Sequence, residues 1–203
     1  MALKALALNC TLKGADKGAS STGVLLSQML DELGRHGVAG EIVRVVDRNV
    51  LPGVTSDEGE GDGWPAIRRA VLDADILLLG TPIWLGHPSS VCQRVLERLD
   101  AFLGETDDAG RMVSYGRVAL VAVVGNEDGA HHVTAELYQA LADVGFTIPA
   151  NGAAYWVGEA MGSLDYKDVP ETPKKVAATI ATAARNAVHL ARLLASEPYP
   201  GEG

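Results

Sequence analysis

Short apolar runs alternate along this chain with longer stretches whose apolar residues recur every three to four positions. That alternation predicts strands interleaved with helices around a parallel sheet. Leu3 to Leu8 reads as the first strand. Gly23 to His36 reads as the first helix, striped by Val24, Leu25, Gln28, Met29, Leu30 and Leu33, with Gly37 where a left-handed stop is wanted. Glu41 to Val46 is a second strand, less uniformly apolar and so placed nearer an edge. Residues 47–63 carry Pro52, Gly53, Gly59, Gly61 and Gly63 among Asp57, Glu58, Glu60 and Asp62, a composition that predicts a mobile acidic loop with little to bury. Trp64 to Leu72 forms a helix with Pro65 in its first turn, where a missing N–H is tolerated.

Residues 75–80 are a buried third strand, followed by a helix from about Ser89 to Phe102. A polar stretch, Gly104 to Tyr115, leads into Gly116 to Gly125, whose unbroken apolar run suits a central strand covered on both faces. Gly129 to Val144 is helical, and Phe146-Thr147-Ile148 opens a fifth strand that continues past Pro149. Thr172 to Leu194 is a long alanine-rich helix with Val176, Ile180, Ala183, Ala187, Leu190 and Leu194 on one face, and Pro198 and Pro200 mark a frayed tail over 196–203. The expectation is a single α/β domain over residues 1–203, a doubly wound three-layer sandwich around five parallel strands.

At 203 residues the chain is long enough for one sizeable core, and 47% hydrophobic with 21% charged residues is the ordinary globular range. Cys10 and Cys92 form neither a CxxC nor a metal-ligand spacing, so a reduced cytoplasmic setting is expected. The apolar start, Met1 to Asn9, is too short for a secretory leader, and no apolar stretch approaches the roughly 18–20 residues that cross a bilayer. A net charge of −9 argues against a nucleic-acid partner. Any anionic ligand must therefore be held by a local site.

Open parallel sheets bind ligands outside the carboxyl ends of their strands, and three loops of unusual composition leave such ends here. The loop over 9–22 lacks both GxGxxG and GxxxxGK[ST], yet it offers hydroxyls from Thr11, Ser20, Ser21 and Thr22 and cations at Lys13 and Lys17. A helix N-terminus follows at once, so the loop suits a terminal phosphate, although Ser20 or Ser21 can also serve simply as a helix cap. The loop over 80–89 contains Pro82-Ile83-Trp84-Leu85-Gly86. Trp84 alone reads as an ordinary packed aromatic, whereas Pro82 and Gly86 fix the backbone near one plane and let its amides approach a ring edge. The loop over 125–131 supplies Gly125, Asn126, Glu127, Asp128 and Gly129 as polar contacts for a heterocycle edge.

The adjacent His131 and His132 point about 100° apart at a helix start and have no third ligand at a known spacing, so no metal is expected. No nucleophile–base pair stands out, and His87 and His132 remain only as proton donors to a reduced acceptor. A phosphate loop, an aromatic platform and polar edge contacts describe a mononucleotide across the sheet rim, and FMN has those parts.

Over residues 2–195 the chain resembles FMN-binding proteins of the flavodoxin-like fold, in the NADPH-dependent FMN reductase and quinone reductase group. Thr11-Leu12-Lys13 and Ser20-Ser21-Thr22 occupy the places of that group's G-S-x-R and S-x-T, with Lys13 keeping the charge of the arginine but not its bidentate fork. Thr81, Pro82, Trp84, Gly86 and Ser89 match its T-P-x-[YW]-x-G-x-x-[SP] segment. The resemblance implies strand order 2-1-3-4-5, FMN as cofactor with Pro82 to Gly86 against the isoalloxazine, and NAD(P)H as co-substrate. It further implies reduction of a quinone, free flavin or other small acceptor by a ping-pong route, the alternative being an electron carrier without a nicotinamide site. Small residues Ala177, Ala178, Ala181, Ala184 and Ala187 permit close helix contact, either within the chain or in a homodimer that closes the pocket.

Overall fold

The computed structural model describes residues 2–201. In chain order the elements are β1 (Lys4–Asn9), α1 (Ser21–Arg35), β2 (Ala39–Arg44), α2 (Trp64–Asp73), β3 (Ile76–Trp84), β4 (His87–Pro88), α3 (Ser90–Leu99), β5 (Val118–Gly125), α4 (Ala130–Asp143), β6 (Ala153–Val157) and α5 (Lys174–Ser196). The sheet runs β2-β1-β3-β5-β6 with every neighbouring pair parallel, which is the anticipated 2-1-3-4-5 order of a flavodoxin-like fold when the short β4 arm is set aside. Its reversal point lies between β1 and β3, so the loops after those strands face one crevice.

The uniform apolar character of β5 has a direct cause. Val118, Leu120, Ala122 and Val124 meet α1 and α5 on one face, while Ala119, Val121 and Val123 meet α2, α3 and α4 on the other. Successive side chains of a strand point to opposite faces, so a strand covered twice has no position left for a polar residue. β2 lies at the edge, as its mixed composition predicts, and it stops at Arg44; Val45–Arg48 forms a 3-10 turn instead of the last two expected strand residues.

Three expectations need correction. Phe146-Thr147-Ile148 contributes only an isolated bridge from Thr147 to Val118, and the fifth parallel strand is β6. Pro149 has no N–H to continue the ladder, so the chain steps aside through Asn151 at φ 56° and rejoins when Val121 N–H donates to the Gly152 carbonyl.

The 47–63 segment is tied down from inside. The Arg98 side chain of α3 is fully buried, pairs with the equally buried Asp62 at 2.7 Å, and donates to the carbonyls of Leu51 (2.9 Å) and Thr55 (3.0 Å). Composition suggested little to bury there; the fold buries a charge pair.

The tail also docks: the Tyr199 ring lies 5.3 Å from that of Tyr115, its hydroxyl meets that of Thr147 at 2.9 Å, and its carbonyl accepts from Arg111. Residues 202–203 of the expected frayed tail lie outside the described residues. Of the small residues on α5, Ala184 and Ala187 are consumed within the chain against the core shared with α1, while Ala177 and Ala178 stay exposed.

Candidate functional site

The loop after β1 is shaped by side chains beneath it. Asn9 donates from Nδ2 to Ser20 Oγ (3.1 Å) and accepts from Thr11 N–H through Oδ1 (3.2 Å). From β2 and the turn after it, Arg44 donates to the Lys13 and Gly18 carbonyls, and the Asp47 carboxylate accepts from Ala15 N–H. Ser20 is the cap of α1, its Oγ accepting from Gly23 N–H at 3.0 Å, so its capping reading holds. Helix N-termini leave their first N–H groups without intrahelical partners. With Gly23 and Val24 served by Ser20, the amides of Ser21 and Thr22 remain to face an anion.

The segment expected as a loop after the third strand is a hairpin, because β3 continues to Trp84 and turns back into β4. Leu85 (φ 52°) and Gly86 (φ 79°) both occupy the left-handed region, as a two-residue primed turn requires. For leucine that conformation costs about 1–2 kcal/mol, and its side chain is 90% exposed with no burial to offset the strain. The Glu127 carboxylate, accepting from Leu85 N–H at 2.9 Å, holds the tip in place. Thr81 and Ser89 bind the loops together: Ser89 N–H donates to Thr81 Oγ1 (3.0 Å), and Ser89 Oγ donates to the Cys10 carbonyl (2.6 Å).

Gly86 and Gly129 meet backbone to backbone. A Cβ on Gly129, whose φ is 123°, would lie 2.9 Å from Gly86 Cα. Gly129→Ala is therefore expected to destabilise the protein by about 1–3 kcal/mol and to displace the Leu85 wall. Thermal unfolding and FMN titration check this, with Asp128→Ala leaving both unchanged.

These loops enclose a cavity of about 510 Å³, within the roughly 300–1,000 Å³ typical of small-molecule sites. Thr11, Lys13, Ser20, Ser21, Thr22, Pro82, Ile83, Trp84, Leu85, Gly125, Asn126 and Glu127 all line it. Gly86, Asp128 and Gly129 do not; the two glycines serve loop contact, and Asp128 points to solvent. His87 and His132 also lie off the cavity wall, so neither is placed to donate a proton into it. Asn126 spends its Nδ2 on the Gly162 carbonyl (3.2 Å), so it positions the wall more than it offers free donors.

A fourth wall, absent from the sequence reading, comes from Trp156, Met161, Gly162, Asp165, Tyr166 and Lys167. Met161 N–H donates to the Asn126 carbonyl, and Lys167 N–H donates to Ser21 Oγ at 3.3 Å. Tyr166 donates to Gln28 Oε1 at 2.6 Å, and its ring lies 5.3 Å from Trp156. The one sequence signal was Trp156 near the end of a strand, which the misplaced fifth strand concealed.

Burial raises the Tyr166 phenol, partly offset by its bonds to Gln28 and Thr172, and the hydrogen bond from Lys167 to Asp168 raises the ammonium, so neither changes charge near neutrality. Burial, with Cys92 alongside, also pushes the Cys10 thiol well up. No thiolate nucleophile is available there.

Hydroxyls and helix-terminal amides at one end and a largely apolar, aromatic slot at the other define a flavin-mononucleotide-binding fold. The chain belongs to the NADPH-dependent FMN reductase family, whose model matches residues 3–162, so FMN is its cofactor and NAD(P)H its co-substrate. It is 33% identical over 213 residues to the 8-demethyl-8-aminoriboflavin-5'-phosphate synthase of Streptomyces davaonensis, covering 98% of this chain and 81% of that protein. The crystal structure of RosB with bound 8-demethyl-8-formylriboflavin-5'-phosphate superposes with a TM-score of 0.87 at 33% identity, covering 98% of this chain and 82% of that one. A 170-residue match at 40% identity to the divalent metal cation transporter MntH of Mycobacterium bovis covers 82% of this chain but only 25% of that protein. No helix among the described residues is long and apolar enough to cross a membrane.

Proposed function

We propose that this FMN oxidoreductase takes a hydride from NADPH or NADH and passes the electrons to a quinone, a free flavin or another small acceptor in a ping-pong cycle. The observation that carries this reading is the open cavity of about 510 Å³ in which the hydroxyl-lined end at Thr11, Ser21 and Thr22 is contiguous with an apolar slot. In this reading Thr11, Ser21 and Thr22 hold the phosphate, and Pro82 to Leu85 with Asn126 and Trp156 hold the ring system. Bound FMN supplies the capacity to accept and release a hydride. The chain's own residues orient it: Glu127 fixes the hairpin tip, Ser20 and Asn9 fix the phosphate loop, and Trp84, 53% exposed, shields one side from water. No side chain is required as an acid or base. One slot above the ring serves both substrates in turn, and a second copy covering the exposed rim at Leu85 and Met161 completes the enclosure as a homodimer in a cytoplasmic setting.

Anaerobic stopped-flow mixing with NADPH or NADH tests the proposal. Rapid bleaching of bound FMN by either, together with parallel double-reciprocal plots, is the expected result; no bleaching identifies an electron carrier, and intersecting plots remove the ping-pong cycle. Trp84→Ala is expected to weaken FMN binding about tenfold through lost aromatic contact. A second reading has support from the relative that covers 98% of the chain: a flavin phosphate as substrate, altered at its dimethylbenzene edge. Mass spectrometry of FMN after incubation separates the two, since a reductase returns FMN unchanged.

A further inference from the structure

We propose that His87, His132 and Glu136 form a site for one first-row divalent metal ion of the zinc type, on the outer side of the hairpin that carries Trp84. His132 and Glu136 stand four residues apart on α4, so one helix face presents both. His87 comes from β4, directly across the hairpin from Trp84, and reaches the same carboxylate although it is 49 positions away in the chain.

Glu136 Oε1 lies 2.7 Å from His132 Nε2 and 3.1 Å from His87 Nδ1, and the three ligand atoms all fall within 4.8 Å of one another. Metal–ligand bonds of about 2.0–2.1 Å at tetrahedral angles separate ligand atoms by about 3.3 Å, so the two Glu136 contacts widen by about 0.2–0.6 Å while the imidazole nitrogens, already within 4.8 Å of each other, settle to the same spacing.

Two imidazole nitrogens and one carboxylate oxygen match the preferences of zinc and its neighbours. Calcium and magnesium prefer oxygen alone. The side chains of His87, His132 and Glu136 are 63%, 57% and 33% exposed, which leaves the fourth position open to water. His131 takes no part: its Nε2 meets the Tyr155 hydroxyl at 3.0 Å on the other side of the helix start. Of the adjacent histidines only His132 takes part, and its partners are Glu136 on the same helix and His87 on the hairpin.

A metal here fastens β4 to α4 from outside the cavity and so restrains the strand that carries Trp84 and Leu85. The site needs neither FMN nor turnover. A surface ion-pair cluster without metal affinity is the competing account of the same contacts.

Metal-depleted protein is titrated with Co²⁺ and followed by visible absorption beyond the flavin bands, then by competition with Zn²⁺ and metal analysis after dialysis. The expected result is one saturable equivalent with a tetrahedral-type spectrum displaced by Zn²⁺. His87→Ala, His132→Ala and Glu136→Ala each weaken binding at least tenfold, while His131→Ala leaves it unchanged. Absence of a saturable band in the parent protein overturns the proposal, as does equal loss in His131→Ala. Circular dichroism confirms that each variant keeps its fold.

Discussion

Replacing Arg98 by alanine lowers unfolding stability by about 3–5 kcal/mol, the range for removing one member of a buried ion pair. The cause is the remainder. Asp62 stays buried with a charge that has lost its partner, and the carbonyls of Leu51 and Thr55 lose their donors. The Arg98 guanidinium also lies 5.7 Å from the Trp64 ring centroid, so the substitution opens space beside the largest buried side chain. Urea unfolding of Arg98→Ala against the parent gives the magnitude, and a loss below about 1 kcal/mol contradicts the account, since that is the scale of a solvated pair.

Burial alone would raise the Asp62 carboxyl. The hydrogen bond from Arg98 and the N–H groups of Glu58, Trp64 and Leu51 outweigh it and hold the group well below the ordinary carboxylate range. A carboxyl lowered on folding contributes stability that is fully present above its unfolded value of about 3.9 and is lost as pH falls through the folded value. Asp62→Asn is therefore less stable than the parent at pH 7, and the difference narrows as the pH is taken below about 4. Melting curves at pH 7 and pH 3 check the sign.

Ser21→Asp lowers FMN affinity at least about 100-fold and leaves riboflavin affinity close to that of the parent. Ser21 is the first residue of α1 and lines the cavity at the end proposed to hold the phosphate. A carboxylate about 4 Å from a phosphate repels it by about 4 kcal/mol per charge pair at the effective dielectric near a protein surface. The same carboxylate favours the helix terminus by about 0.3–1 kcal/mol, so the variant melts no lower than the parent. Fluorescence titrations with the two flavins, beside a melting curve, separate lost phosphate binding from lost folding. Unchanged FMN affinity would place the phosphate away from α1.

The layout was legible wherever burial on two faces leaves one chemical solution. β3 and β5 announce themselves because a doubly covered strand favours apolar residues at nearly every position, and the one buried hydroxyl in β3, that of Thr81, accepts from Ser89 N–H. The first loop was legible because hydroxyls before a helix start serve an anion through backbone amides, a local device. Trp84 lines the cavity, yet it ends a strand where a loop was expected, because Thr81 and Pro82 look turn-like while pairing along β5, and Ile83 and Trp84 pair with β4. The fifth strand was put too early because Phe146-Thr147-Ile148 has the right composition; Pro149 and the register against β5 move it to Ala153–Val157.

Sequence alone determined the order of strands and helices, the two covered faces of the sheet and the loops that meet at its carboxyl edge, because periodicity and helix capping act between near neighbours. Only the tertiary structure decided that Arg98 finds Asp62, that Asn126 latches a fourth wall onto the cavity, and that His87 meets His132 and Glu136. Those pairings join positions far apart in the chain, and their partners are selected by where the sheet brings the backbones together. A charged or polar residue carries no local mark of the partner it will meet.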